Sequence, residues 1–262
     1  MFGIQFVDTD SKKYGIKHAN NKPRVLSTPF EYDIVKGNLS GKLALRKFGH
    51  NTEVAATLED IWDGSGVYSY LTSAEIVYIT SDDDTDDQTY EVQGLDANWD
   101  YQIKEVVCSG FSPVAVGGTW IRVFRIKNIG ITDNAGNIYI STGPVDSDSD
   151  GVPDSGLLAQ ITATYNQTLM ALWTVPAGYT AYLTSFYAST SSAKVTEVHL
   201  YVKPYGKVFQ IKKLATINQG TTKFSYDFPL IITEKSDITI KALADAGGGD
   251  ISAGFDLWYE AN

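Results

Sequence analysis

Residues Asp146 to Asp154 read Asp-Ser-Asp-Ser-Asp-Gly-Val-Pro-Asp, the stretch in which side-chain type and spacing are most specific. Calcium is held by about six to eight oxygen ligands. Asp146, Asp148 and Asp150 stand at alternate positions and can converge when the backbone turns at Gly151. The Val152 carbonyl and Asp154 would complete much of the shell. The same residue types also make a solvated, flexible connection. A calcium site and a plain acidic linker therefore both remain open.

The spacing is similar to the Asp-x-Asp-x-Asp-Gly-x-x-Asp loops of thrombospondin type 3 repeats and to the first part of an EF-hand loop. Leu157 occupies the position of the closing EF-hand acid, and no helical pattern flanks the loop, which argues against an EF-hand. A second acidic run, Asp82, Asp83, Asp84, Asp86 and Asp87, lacks the glycine and reads as a charged loop tip. His18, His50 and His199 are scattered without transition-metal spacing. No Gly-x-Ser-x-Gly elbow, phosphate-binding loop or dinucleotide fingerprint occurs. The 31 acids could always supply a glycosidase pair, but nothing marks one, so no enzyme is expected.

The five tryptophans divide by context. Trp120 and Trp173 lie in alternating apolar runs and read as core, whereas Trp62 in Asp-Ile-Trp-Asp-Gly and Trp99 in Leu-Asp-Ala-Asn-Trp lie in turn-like settings suited to an interface. With the 16 tyrosines, the tryptophans could also furnish a sugar-stacking platform.

Elements of an all-β chain must position these residues. The 262 residues are 43% hydrophobic, contain 23 glycines and lack the long helix-forming runs of an α protein. A net charge of -10 argues against nucleic acid as a partner. The single Cys108 excludes an internal disulfide and suits a reducing cytosol. The absence of a leader pattern or a long apolar run predicts a soluble chain with no membrane association.

Residues 1–47 carry no helical stripe and are expected to form an extended N-terminal arm. A first β-sandwich is predicted over 48–143, with strands near 75–80, 89–94, 101–107, 120–127 and 137–141. Residues 144–156 form the acidic linker or cation loop. A second, jelly-roll-like sandwich follows over 157–262, with eight strands near 158–164, 170–175, 180–188, 195–202, 208–214, 222–228, 237–242 and 251–258. Ile251, Ala253, Phe255 and Leu257 alternate as one buried face of its last strand.

Several short motifs run through both halves. They include Lys47-Phe48-Gly49-His50-Asn51, Asp60-Ile61-Trp62-Asp63-Gly64 and Gly94-Leu95-Asp96-Ala97-Asn98-Trp99. Further on come Thr174-Val175-Pro176-Ala177-Gly178, Lys203-Pro204-Tyr205-Gly206 and Ser252-Ala253-Gly254-Phe255-Asp256. As a set, over about residues 45 to 258, they resemble a group of virion structural proteins of tailed bacteriophages common among marine phages. That resemblance implies a capsid-associated protein, of decoration or minor-head type, assembled in the host cytoplasm and present in many copies. It implies partners among other capsid or tail subunits and a symmetric oligomer such as a trimer. It transfers no catalytic residues, and the acidic loop departs from the pattern of the group. The alternative from another class is a module of a tail or fibre that binds a host glycan or receptor.

Overall fold

The computed structural model describes residues 29–144 and 146–262, together with four short strand segments before them at 6–7, 13–14, 17–19 and 22–24. In the N-terminal part, β1 (Phe6–Val7) pairs with β2 (Lys13–Tyr14), and β3 (Lys17–Ala19) pairs with β4 (Lys22–Arg24), both antiparallel. A short helix, α1 (Phe30–Val35), follows Pro29 and carries Glu31 and Asp33 in its first turn, where acids favour the positive helix end. Gly37, at φ 71°, ends it in the left-handed conformation that glycine adopts without strain. Part of the extended arm expected over 1–47 lies outside the described residues. Where it is described it contains paired strands and a helix, and residues 1–40 form a compact unit of their own.

Residues 41–262 form the second unit, in which every strand pairing is antiparallel. Its largest sheet joins β5 (Lys42–Val54), β6 (Glu59–Asp60), β14 (Leu172–Thr174), β15 (Tyr179–Lys203), β16 (Gln210–Ile232), β17 (Asp237–Ala244) and β18 (Gly249–Ala261). A four-stranded sheet runs in the order β10 (Val114–Ala115), β7 (Tyr78–Ser81), β12 (Ile138–Ser141), β13 (Leu157–Ile161). A three-stranded sheet runs β11 (Arg122–Asn128), β8 (Thr89–Leu95), β9 (Tyr101–Val107). The all-β class is as the alternating patterns indicate. Ile251, Ala253, Phe255 and Leu257 all turn inward, and Trp120 and Trp173 are among the largest fully buried side chains.

The strands do not follow the expected division at 144–156. β5 crosses the boundary placed at 47/48 and pairs with β18 along most of its length, and β6 pairs with β17. Strands from before the acidic loop thus complete the sheet formed after it, over one continuous apolar core. Close backbone approach fixes this arrangement. A Cβ on Gly49 would lie 2.2 Å from the Ile61 carbonyl oxygen, so no larger residue fits there.

The expected eight strands of the C-terminal half are also fewer and longer. Residues 179–189 of β15 lie between β16 and β18, whereas residues 196–203 lie between β16 and β17. The strand changes partner on one side without breaking, with a register shift between Thr190 and Val195. Between the strands expected near 208–214 and 222–228, Asn218-Gln219-Gly220 forms no turn between strands but a bulge opposite that shift, with Gln219 at φ 46° and Gly220 at φ 140°.

Candidate functional site

In the acidic loop, carboxylate oxygens of Asp146, Asp148 and Asp150 lie within 4.8 Å of one another. Asp154 stands outside this cluster and accepts from the Ser147 backbone N–H and hydroxyl, each at 3.2 Å. Asp146 accepts from the backbone N–H groups of Asp150 at 3.2 Å and Gly151 at 2.7 Å. Asp150 accepts from the N–H of Val152 at 2.9 Å. The carboxylates therefore first serve to fold the loop on itself. A hydrogen bond with Asp146, then the charge of Asp150, push the Asp148 carboxyl above its ordinary range. Desolvation pushes Asp146 upward, but the N–H donors of the loop and the bond with Asp148 outweigh it and hold Asp146 low. A calcium ion here would need further oxygens beyond these three carboxylates.

The loop is also anchored. Gly151 is at φ 82°, and a Cβ there would lie 1.7 Å from the Ser81 carbonyl oxygen of β7. Glycine is required at this point both by conformation and by close approach. The second acidic run is largely structural and not a simple loop tip. Asp86 is fully buried and accepts from Ser81 Oγ at 2.6 Å, Ala135 N at 2.8 Å and Gly136 N at 2.9 Å. Asp82 accepts from Asn137 N, Asn137 Nδ2 and Tyr139 Oη at 2.6 to 2.8 Å.

The two candidate interface tryptophans separate. Trp62 is only 3% exposed, and its Nε1–H donates to the Gly66 carbonyl at 3.2 Å. Its ring meets Tyr68 edge-on at 5.2 Å and covers Gly64, where a Cβ would strike the indole at 2.4 Å. The turn that suggested a surface residue instead folds the indole inward, and Trp62 presents no surface to a partner. Trp99 is half-buried and lines a pocket.

That pocket has a volume of about 440 Å³ and draws on segments far apart in sequence, among them 70–74, 97–99, 203–207 and 235–237. The Arg122 guanidinium at its base forms a two-pronged pair with Asp237, Nε at 2.8 Å and Nη2 at 3.0 Å. Nη1 donates to the Leu71 and Ile121 carbonyls at 2.8 and 2.7 Å, and Thr174 Oγ1 donates to Asp237 at 2.7 Å. Arg122 also lies 4.8 Å from the Trp99 ring and 5.0 Å from the Tyr70 ring. This buried pair ties β11 to β17 and fixes the aromatic walls.

The remaining walls come from turns. Trp99 sits at φ 69° in the connection between β8 and β9, where Asp96 Oδ1 accepts from Asn98 N at 2.8 Å and Asp100 N at 3.0 Å. Tyr205 lies in the 204–209 connection between β15 and β16, and it meets Trp99 edge-on at 5.5 Å. Lys203, Lys207 and Lys235 complete the lining, with the Lys235 ammonium 5.4 Å from the Tyr205 ring centre. Lys235 is itself at φ 58°, so two non-glycine residues of the pocket occupy the left-handed region. Spacing in the sequence shows no sign of this site beyond the turn context of Trp99.

A second exposed feature is β16. Among the described residues it pairs only with β15, which leaves the other edge of a 23-residue strand unpaired. Ile211, Leu214, Phe228 and Ile231 are exposed along it, Phe228 at 89%.

Comparison with known proteins adds little to this. No protein-family model matches the chain, and no curated protein matches it. The structure of TmCBM61 in complex with β-1,4-galactotriose is similar at 10% identity over 53% of this chain and 70% of that one, with a TM-score of 0.20. The infectious bursal disease virus VP2 subviral particle is similar at 9% identity over 90% of this chain and 78% of that one, with a TM-score of 0.21. The Gt strain of the same virus gives 10% identity, 88% and 77% coverage and a TM-score of 0.19. Likenesses this distant carry no argument about function, so the reading rests on the chain's own residues.

Proposed function

We propose that this chain is a non-catalytic structural subunit of a tailed-phage virion, capsid-associated, and that it acts by docking on neighbouring subunits. The observation that carries the reading is the edge of β16, which is free among the described residues. A long strand with unpaired N–H and C=O groups and exposed Ile211, Leu214, Phe228 and Ile231 invites pairing with another chain. Lys212, Lys213, Lys223, Asp227 and Pro229 blunt parts of this edge, yet the apolar side chains between them stay exposed. A partner strand or a symmetric copy would cover it, in keeping with the oligomer and the virion location that the sequence resemblance implies. In the same proposal the acidic loop takes calcium and stiffens its connection.

The test replaces Leu214, Phe228 and Ile231 together by Asp and compares the copy number of the chain on purified particles. The expected result is a folded variant missing from the particle. Incorporation at the wild-type level would remove β16 as the docking element.

A second reading, recognition of a host glycan, is favoured by one specific observation: the Trp99–Tyr205 pocket, open to solvent and lined by cations.

A further inference from the structure

The lysines of the Trp99–Tyr205 pocket are at odds with the rest of the molecule. The chain carries a net charge of -10, yet the lining includes Arg122, Lys203, Lys207 and Lys235 against one carboxylate, Asp237. Asp237 is only 2% exposed and already committed to Arg122 and Thr174, which cancels the arginine's charge. Two acids next to lining residues in sequence stand outside the lining and are held by backbone N–H groups. Glu234 accepts from the Gly178 N–H at 2.6 Å, and Asp96 is occupied by its own turn. Among the described residues none of the three lysines forms an ion pair. Three lysines without an ion pair therefore line one concavity, the Lys203 ammonium lying over the Tyr70 and Phe209 rings at 6.0 and 5.5 Å, and the low-dielectric walls focus their field.

The walls add a shape requirement. Tyr205 is 58% exposed, and with half-buried Trp99 it offers aromatic surface at the rim. Such rings pack against the apolar C–H face of a flat, rigid ligand, and the buried Arg122–Asp237 pair keeps the Trp99 wall in place. A volume of about 440 Å³ suits one or two sugar rings. We infer that the pocket binds an acidic saccharide: a pyranose packs on Trp99 and Tyr205 while its carboxylate, or an equivalent sulfate, is held by Lys203, Lys207 and Lys235. This rests on the glycan reading above and narrows it from sugars in general to anionic ones. An acidic peptide would satisfy the lysines, but its flexible backbone has less use for two aromatic walls.

The test is calorimetric titration of the full chain with a short oligogalacturonate, a neutral galacto-oligosaccharide of the same linkage and length, and polyglutamate. The inference expects oligogalacturonate to bind at least about tenfold more tightly than either comparator, and to weaken as salt screens the lysines. Tyr205→Ala, and separately Lys203→Gln combined with Lys207→Gln and Lys235→Gln, should each weaken binding about tenfold with the melting temperature unchanged. If the triple variant fails to fold, the exposed single change Lys207→Glu takes its place. Equal binding of the acidic and neutral sugars, lost in Tyr205→Ala, would overturn the charge preference while keeping the glycan reading. Binding of neither sugar at millimolar concentration would overturn both. Polyglutamate binding as tightly as oligogalacturonate would make the partner an acidic peptide and overturn the saccharide assignment.

Discussion

Asp63 offers a measurable consequence of burial. It lies in the turn after β6, lines a cavity of about 180 Å³ with His50, Asn51 and Asn137, and accepts one hydrogen bond, from Leu169 N at 2.8 Å. Burial pushes the carboxyl from 3.8 up to about 7, and the Leu169 N–H offsets only part of that. In the unfolded chain the group loses its proton near pH 4; in the folded chain it keeps the proton to about pH 7. Between these limits the native state holds a proton that the unfolded state has released. Raising the pH therefore favours unfolding, and the loss is complete above about pH 7.

Moving the carboxyl from 3.8 to about 7 corresponds to an upper bound of about 4 kcal/mol. Solvent near the cavity reduces this to about 2–4 kcal/mol. Asp63→Asn removes the titration while leaving an amide oxygen to accept from Leu169 N. The variant should match the wild type near pH 4 and be more stable by about 2–4 kcal/mol at pH 8. Urea unfolding of both proteins at intervals from pH 4 to 8.5 reads this directly as the difference between two curves. Every other group is common to both proteins, so the difference isolates Asp63. Parallel curves across the range would refute the reasoning and place Asp63 in a wetter setting than its burial implies.

Arg122→Ala should cost about 3–5 kcal/mol, because it leaves Asp237 buried with only Thr174 as a side-chain partner. A thermal melt should show a fall of about 6–20 °C, and a fall of a degree or less would mean that Asp237 is solvated. For the acidic loop, calcium should raise the melting temperature of the wild type and leave the Asp146→Ala/Asp148→Ala/Asp150→Ala variant unmoved. The same response in both would reduce the loop to a self-folded connection.

What the sequence revealed follows from which physical signals are local. Period-two burial is local, and the alternation of Ile251, Ala253, Phe255 and Leu257 is borne out residue by residue. Strand pairing is not local. Nothing near Lys42–Val54 indicates that it will add an edge to a sheet formed some two hundred residues later, so β5 was hidden in a supposed arm and domain boundary. Lys47 shows the same limit, since lysines are rarely buried yet this one is 2% exposed and donates from Nζ to the Phe124 carbonyl. Burial drives its ammonium well below the ordinary lysine range. The cationic pocket was equally hidden, because its residues are brought together only by the fold.

The two acidic runs make the point most directly, for similar residues are put to different uses according to what meets them. Asp82 and Asp86 accept hydrogen bonds from the 133–139 segment and hold that turn against β7. Asp146, Asp148 and Asp150 have mainly the N–H groups of their own loop, so their mutual repulsion is left for protons or a cation to relieve. Gly151 brings that loop onto Ser81, the residue whose hydroxyl donates to Asp86. Tyr139, bonded to Asp82, also feels the charge of Asp150, and its phenol is raised first by burial and then by these acids. The loops thus meet at Ser81 and Tyr139, so neutralising Asp150 in the exposed loop should ease ionisation of the Tyr139 phenol. Calcium or acid acting at Asp146–Asp150 would stiffen the Ser81 end of β7 together with the loop itself, which a separate flexible linker would not do.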